Sequence, residues 1–250
     1  MKKSIALSFI FSLICIYRIS AAPFPAKKQI NYRTSFGQCP SRSVGSMTLK
    51  LIKAFESTGS LKEVKQKIIE EKLDQKHFVS DYKIKYDPFK KMLQFKYDCP
   101  DPLMKVQIYK KNTLDSYEAI LVDNGKLYDP TYEVLLRTEK KLTSQLPFLA
   151  LPLGEMEEST QHRITSLVKK MGPKFRKKLS EVILNEGGDL TVILSVQGNP
   201  SSVFLGKGKW PEKVEKLKKI INYMQKKRRI PAVINLTNSQ KVVVKFNERF

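Results

Sequence analysis

The chain has 250 residues, 41% of them hydrophobic, which suits one large domain or two small ones. Its 46 lysines and arginines against 24 acidic residues leave a net charge of +22. That charge fits nucleic acid, an anionic membrane, an acidic partner or simply a solvated surface, and the excess of lysine over arginine speaks against base reading.

Met1-Lys2-Lys3 precedes about fourteen mostly apolar residues, Ser4 to Tyr17, a signal-peptide length. A spanning helix wants ~20 residues, which Ile19 to Ala22 would nearly supply with Arg18 reaching outward. Residues 4–22 therefore read either as an inner-membrane anchor or as a signal segment cut near Ser20-Ala21-Ala22, although Pro23 is awkward for cleavage. In both cases the rest is exported. Cys15 is not a lipidation site, because Ile14 stands where a small residue belongs. Residues 23–46, with Pro23, Pro25, Gly37, Pro40 and Gly45, have linker composition.

Residues 47–108 read as a small β-α-β-β unit. Met47 to Phe55 is the first strand, with helix the competing assignment. Ser60-Leu61-Lys62-Glu63 is a capping box, and the helix behind it carries Val64, Ile68 and Ile69 on one face. Tyr82, Ile84 and Tyr86, then Leu93, Phe95 and Tyr97, alternate with polar residues on either side of Asp87-Pro88, a hairpin pattern. Cys39 and Cys99, the two exported cysteines, are either a disulfide or two half-buried thiols.

Residues 109–250 read as a mixed α/β domain. Asn124-Gly125 favours a primed turn between two strands, and Leu146-Pro147-Phe148 follows. A helix near His162 to Met171 presents Ile164, Leu167, Val168 and Met171 on one face until Gly172-Pro173 stops or kinks it. Strands follow at Glu181 to Leu184, Leu190 to Val196 and Ser202 to Gly206, with Asn199-Pro200 as a turn. Pro211 opens a helix whose stripe is Val214, Leu217, Ile220, Ile221 and Met224. Lys226 to Arg229 meet the negative pole of its dipole. Ile230 to Leu236 and Val242 to Phe246 are the last strands.

No catalytic constellation is visible. His77 and His162 sit in no metal-ligand spacing, no Gly-x-Ser-x-Gly elbow occurs, and Gly206 and Gly208 lack the rest of a dinucleotide fingerprint. No enzyme activity, cofactor, metal, small-molecule substrate or nucleic acid is expected.

The closing order resembles the end of the bacterial FtsQ/DivIB cell-division family. It consists of Val203-Phe204-Leu205-Gly206, Gly208, Trp210-Pro211, an amphipathic helix, Ile230-Pro231 and Val244-Lys245-Phe246. The hairpin with Asp123 and Gly125, and Leu146-Pro147 behind it, fit the same family. The resemblance implies an α+β chain: a membrane segment, a POTRA-like domain at 47–108, and a C-terminal domain with a curved, mainly antiparallel sheet and two helices. It implies a non-enzymatic divisome scaffold whose final strand binds small coiled-coil proteins of the FtsB/DivIC and FtsL kinds. That assigns partner binding to Asn238, Ser239, Gln240, Lys241, Val242, Val243, Val244, Lys245 and Phe246. Of three family anchor positions, only the aromatic one is kept, as Phe246. The turn aromatic falls on Asn238 and the basic anchor on Ile183. Two other readings of the chain are an envelope assembly or secretion component bearing the same small module, and an exported basic protein that binds nucleic acid or cell wall.

Overall fold

The computed structural model describes residues 30–110, 115–238 and 240–246. Of these, 30–34 and 84–94 fall in one compact unit and the remainder in a second. The membrane segment expected at 4–22 lies outside the described residues. Among the described residues, no helix is long and apolar enough to cross a membrane.

The N-terminal elements run β1 (Asn31–Ser35), α1 (Ser41–Thr58), α2 (Leu61–Glu71), α3 (Leu73–Lys76), β2 (Asp81–Asp87) and β3 (Met92–Asp98), with strand order β1-β3-β2. Two expectations change here. The stretch read as a linker holds β1 and the start of α1, and Met47 to Phe55 is helix, not strand. Val44, Met47, Thr48, Leu51 and Phe55 are buried at helical spacing, whereas Leu49, which had made the segment seem to alternate, is 61% exposed. At α2 the Ser60 hydroxyl accepts from the Lys62 amide, while the Ser60 amide donates to the Thr58 hydroxyl.

Pro40 precedes α1 and offers no side-chain cap. Glu139 supplies the cap from far along the chain. Its carboxylate accepts from the Ser41 amide at 2.7 Å and the Arg42 amide at 3.0 Å. The Lys141 ammonium binds that carboxylate at 3.1 Å, the Ser41 hydroxyl at 2.9 Å and the Cys39 carbonyl. Cys39 and Cys99 are joined by a disulfide with Cα atoms 5.1 Å apart.

The remaining strands form one nine-stranded sheet in the order β12-β11-β10-β9-β8-β7-β4-β5-β6. They are β4 (Pro102–Tyr109), β5 (Ser116–Val122), β6 (Leu127–Tyr128), β7 (Phe148–Pro152), β8 (Leu179–Leu184), β9 (Leu190–Val196), β10 (Asn199–Gly206), β11 (Pro231–Asn235) and β12 (Val243–Phe246). The sheet begins at Pro102, inside the stretch read as the POTRA-like unit. It is mixed: β10–β11, β7–β8 and β4–β7 are parallel and the other pairs antiparallel. Four helices accompany it where two were expected: α4 (Thr131–Thr138), α5 (Glu158–Met171), α6 (Pro173–Arg176) and α7 (Trp210–Lys226).

Helices α5 and α7 share one core with one sheet face. Ile164, Leu167 and Val168 of α5 and Val214, Leu217 and Ile221 of α7 pack with Val106, Leu149, Val182, Val192, Val203 and Ile234. Phe78, Ile120, Val122, Tyr128, Tyr132 and Leu136 form a second cluster that holds α4, with the Phe78 and Tyr132 rings stacked at 4.9 Å.

The turns also differ from expectation. The Gly125 amide donates to the Val122 carbonyl and only Gly125 has positive φ, so Asn124-Gly125 makes a type I turn followed by a left-handed residue. The primed hairpin turn lies instead at Gln197-Gly198, both at positive φ, and Asn199-Pro200 belongs to β10.

Candidate docking edge

β12 is the terminal strand of the sheet, so its outer side is bonded to no described strand. Its inner side pairs antiparallel with β11: Asn235 with Val243, Ile234 with Val244, Val233 with Lys245, and Pro231 with Phe246 across an irregularity. Side chains alternate across a strand, so Val244 lies on the helix-covered face over Ile234, and Val243 and Lys245 lie on the other. Val242 and Val243 are 41% and 39% exposed. The Arg229 guanidinium lies 4.2 Å from the centroid of the Phe246 ring. The basic cluster that closes α7 thus does more than face the helix dipole: one of its members, Arg229, covers the Phe246 ring.

Asx turns hold the approach to the strand. The Asn235 side-chain oxygen accepts from the Thr237 amide at 2.9 Å and the Thr237 hydroxyl at 2.7 Å. That of Asn238 accepts from the Gln240 amide at 2.8 Å and the Lys241 amide at 3.3 Å. Asn238 therefore shapes the turn between β11 and β12. Ser239 lies outside the described residues. Lys241 and Val242 lead into β12 without joining it.

The Gly206 turn backs this loop. Gly206 has φ +63°, and a Cβ there would lie 3.1 Å from the Thr237 methyl. The Trp210 indole donates to the Gly206 carbonyl at 2.7 Å, and the Arg163 guanidinium lies 4.3 Å from the Trp210 ring. The ammonium of Lys213, a buried residue, donates to the carbonyls of Leu205 at 2.5 Å and Lys207 at 3.0 Å. Burial pushes its pKa down, Asp189 pulls it back up, and Lys209 lowers it further. The glycine turn, the Trp-Pro helix start and the edge loop form one bonded assembly.

The sheet face away from α5 and α7 is only partly covered. At its β5–β6 end, Phe78 and α4 lie over Ile120, and Glu133 of α4 binds Lys105 at 3.0 Å and Arg137 at 2.7 Å. Beyond that, register places Phe148, Glu181, Ile193, Ser202, Val233 and Lys245 in one row across the sheet, and Ala150, Ile183, Thr191, Phe204, Asn235 and Val243 in the next. Phe148 is 51% exposed and Phe204 39%, and Ala150, Ile183, Ile193 and Val233 are half-buried. This stripe, apolar residues interrupted by Glu181, Ser202, Thr191 and Asn235, runs to the free edge. Ile183 sits in it four strands inward from β12. The stripe escaped the sequence reading because its members come from six strands; alternation within each strand was the only local signal.

His77 and His162 face acidic neighbours, Glu71 and Glu158, each at 3.4 Å. Among the described residues, no group of three or more His, Cys, Asp or Glu is placed to hold a metal ion.

The family model described as "Cell division protein FtsQ/DivIB, C-terminal" matches residues 111–237. The match spans the sheet from β5 through β11 and ends just before the edge loop and β12. No curated protein matches the chain.

Proposed function

The chain belongs to the FtsQ/DivIB family of cell-division proteins, and we propose that it works there as a non-enzymatic scaffold that receives a partner's strand along the free edge of β12. The observation that carries this reading is the position of β12: it is the last strand of a nine-stranded sheet, with Val243 exposed on it and Val242 exposed just before it.

Magnitudes say that the edge does not act alone. β12 has four residues, so an added strand gains about four backbone hydrogen bonds, worth roughly 1 kcal/mol each. Association itself costs at least ~4 kcal/mol, so the hydrogen bonds only break even. Apolar burial must supply the surplus, and the stripe through Phe204 and Val243 adjoins the edge where it is needed. A partner lying against both would present alternating apolar residues. At Ile183 it would meet an aliphatic side chain where the family has a base, so an acidic partner residue gains no ion pair there.

In this reading the partners are small coiled-coil division proteins of the FtsB/DivIC and FtsL kinds. Residues 4–22 tether the chain to the inner membrane, and the soluble part lies outside the cytoplasm. The POTRA-like stretch 47–108, read from its helices and the β2–β3 hairpin, gives a second contact surface, and 109–250 is the docking domain. The test is removal of Gln240 to Phe250. Co-purification with the coiled-coil partners is lost while the far-ultraviolet circular dichroism of the remainder persists. Retained co-purification by the folded, shortened chain refutes docking at β12. A fluorescent fusion of the intact chain forms a midcell band in dividing cells; a uniform envelope signal counts against the division role.

A further inference from the structure

A second concavity lies on the helix-covered side of the sheet, away from the open stripe. Gly172, at φ +76°, ends α5, and Pro173 restarts the chain as α6. Between that corner and α7 is a cleft of about 620 Å³, within the ~300–1,000 Å³ that takes a small ligand or a few side chains. Met171 and Phe175 line its apolar part. Lys174, Lys178, Lys218 and Asn222 supply its polar lining.

Two of these lysines are already ordered. The Lys178 ammonium donates to the Gln225 side-chain oxygen at 2.8 Å. That of Lys218 donates to the Lys170 carbonyl at 2.7 Å and to Glu215 at 2.9 Å. Little rotamer entropy remains to be lost when an anion arrives. The α5–α6 wall is basic: residues 159–180 contain no aspartate or glutamate, and Glu215 on α7 is the carboxylate bonded to Lys218. The hydrogen bond from Lys218 holds the Glu215 carboxyl below its usual range, and the fields of Lys170 and Lys219 add to it.

The shape selects among anionic partners. A membrane surface needs apolar groups that project, and here they lie in a recess. Single-stranded nucleic acid stacks its bases on exposed rings, and Phe175 is only 8% exposed. A recess with apolar walls and a lysine rim suits a protruding apolar side chain flanked by carboxylates. We propose that this cleft docks an acidic segment of a protein partner. One aliphatic or aromatic side chain enters beside Met171 and Phe175, and carboxylates meet Lys174, Lys178 and Lys218.

The probe is a fluorescein-labelled peptide, Glu-Glu-Leu-Phe-Glu-Glu, titrated with the full chain by fluorescence anisotropy at low and moderate salt. Two control peptides are Glu-Glu-Gly-Ser-Glu-Glu and Lys-Lys-Leu-Phe-Lys-Lys. The acidic apolar peptide binds, and each control binds about tenfold or more weakly, as expected from one buried side chain or one lost charge complement. Asn222→Trp, which fills the recess, weakens it about tenfold at unchanged melting temperature; the pair Lys174→Glu with Lys218→Glu weakens it about tenfold and, by losing the Lys218 bonds to Lys170 and Glu215, lowers the melting temperature. Amide shifts on binding centre on residues 171–178 and 218–222, and removal of Gln240 to Phe250 leaves the affinity as it was. Equal binding of the Gly-Ser control, an unaffected Asn222→Trp variant, or displacement by an oligonucleotide at equal charge concentration overturns the proposal. If Asn222→Trp does not fold, the charge-reversal pair and the shift map decide.

Discussion

Replacing Glu139 by glutamine tests whether one carboxylate, borrowed from far along the chain, closes the start of α1. Burial alone would push the Glu139 pKa up. The amides of Ser41 and Arg42, the Lys141 ammonium and the Ser41 hydroxyl outweigh it and bring the carboxyl from 4.5 to about 2. At ~1.4 kcal/mol per pKa unit this is at most ~3 kcal/mol of stability. Solvent reaches a side chain that is 20% exposed, which reduces the figure to about 1–2 kcal/mol, in the range of a good helix cap. The sign follows from a depressed carboxyl pKa. The stabilisation is complete above pH 4.5 and disappears as pH falls through 4.5 towards 2. Urea unfolding of the disulfide-intact protein at pH 7 gives Glu139→Gln an unfolding free energy about 1–2 kcal/mol below that of the parent. Near pH 2 the two curves converge. A gap of the same size at both pH values refutes the charge-based cap, and no gap at pH 7 shows that the charge of Glu139 adds nothing to it.

Three further outcomes are expected. Gly206→Ala forces an alanine into φ +63° with its Cβ against Thr237; it costs about 1–2 kcal/mol and lowers the melting temperature by several degrees in calorimetry, and an unchanged Tm refutes the close approach. Reducing the Cys39–Cys99 bond, which closes a loop with a sequence separation of 60, costs up to ~4 kcal/mol, so the urea midpoint falls on adding dithiothreitol; an unmoved midpoint shows that the bond carries no stability. Exchanging Lys241 and Lys245 for glutamate slows capture of an acidic partner about tenfold at low salt and less at high salt, measured by stopped flow; an on-rate insensitive to both exchanges leaves these lysines as guards against self-pairing.

Much of the fold was legible because its signals are local. The stripes of α5 and α7, the β2–β3 hairpin and the strands from Leu179 to Gly206 each follow from periodicity within one element. What was missed depends on partners far along the chain. No residue near α1 announces its cap, since Pro40 cannot cap and Glu139 lies beyond α4. The Met47 to Phe55 segment alternates almost as well as it turns, and only the burial of Val44 and Thr48 shows it to be helix. The edge strand was legible as a final β-branched run. Its surroundings were not, because Phe148, Ile183 and Phe204 become neighbours only through sheet register, and Arg229 reaches Phe246 only across β11.

From β7 to β12, apart from β4, the order of strands across the sheet follows the order along the chain. β12 is therefore the last of them to be synthesised, and it has no edge to join until β11 is in place behind α7. Until β12 joins, the outermost strand is β11, which begins with a proline that has no amide hydrogen to offer. Assembly is thereby timed as well as placed: a chain still being made, or one that stalled before β11 closed, has no β12 edge to offer a partner.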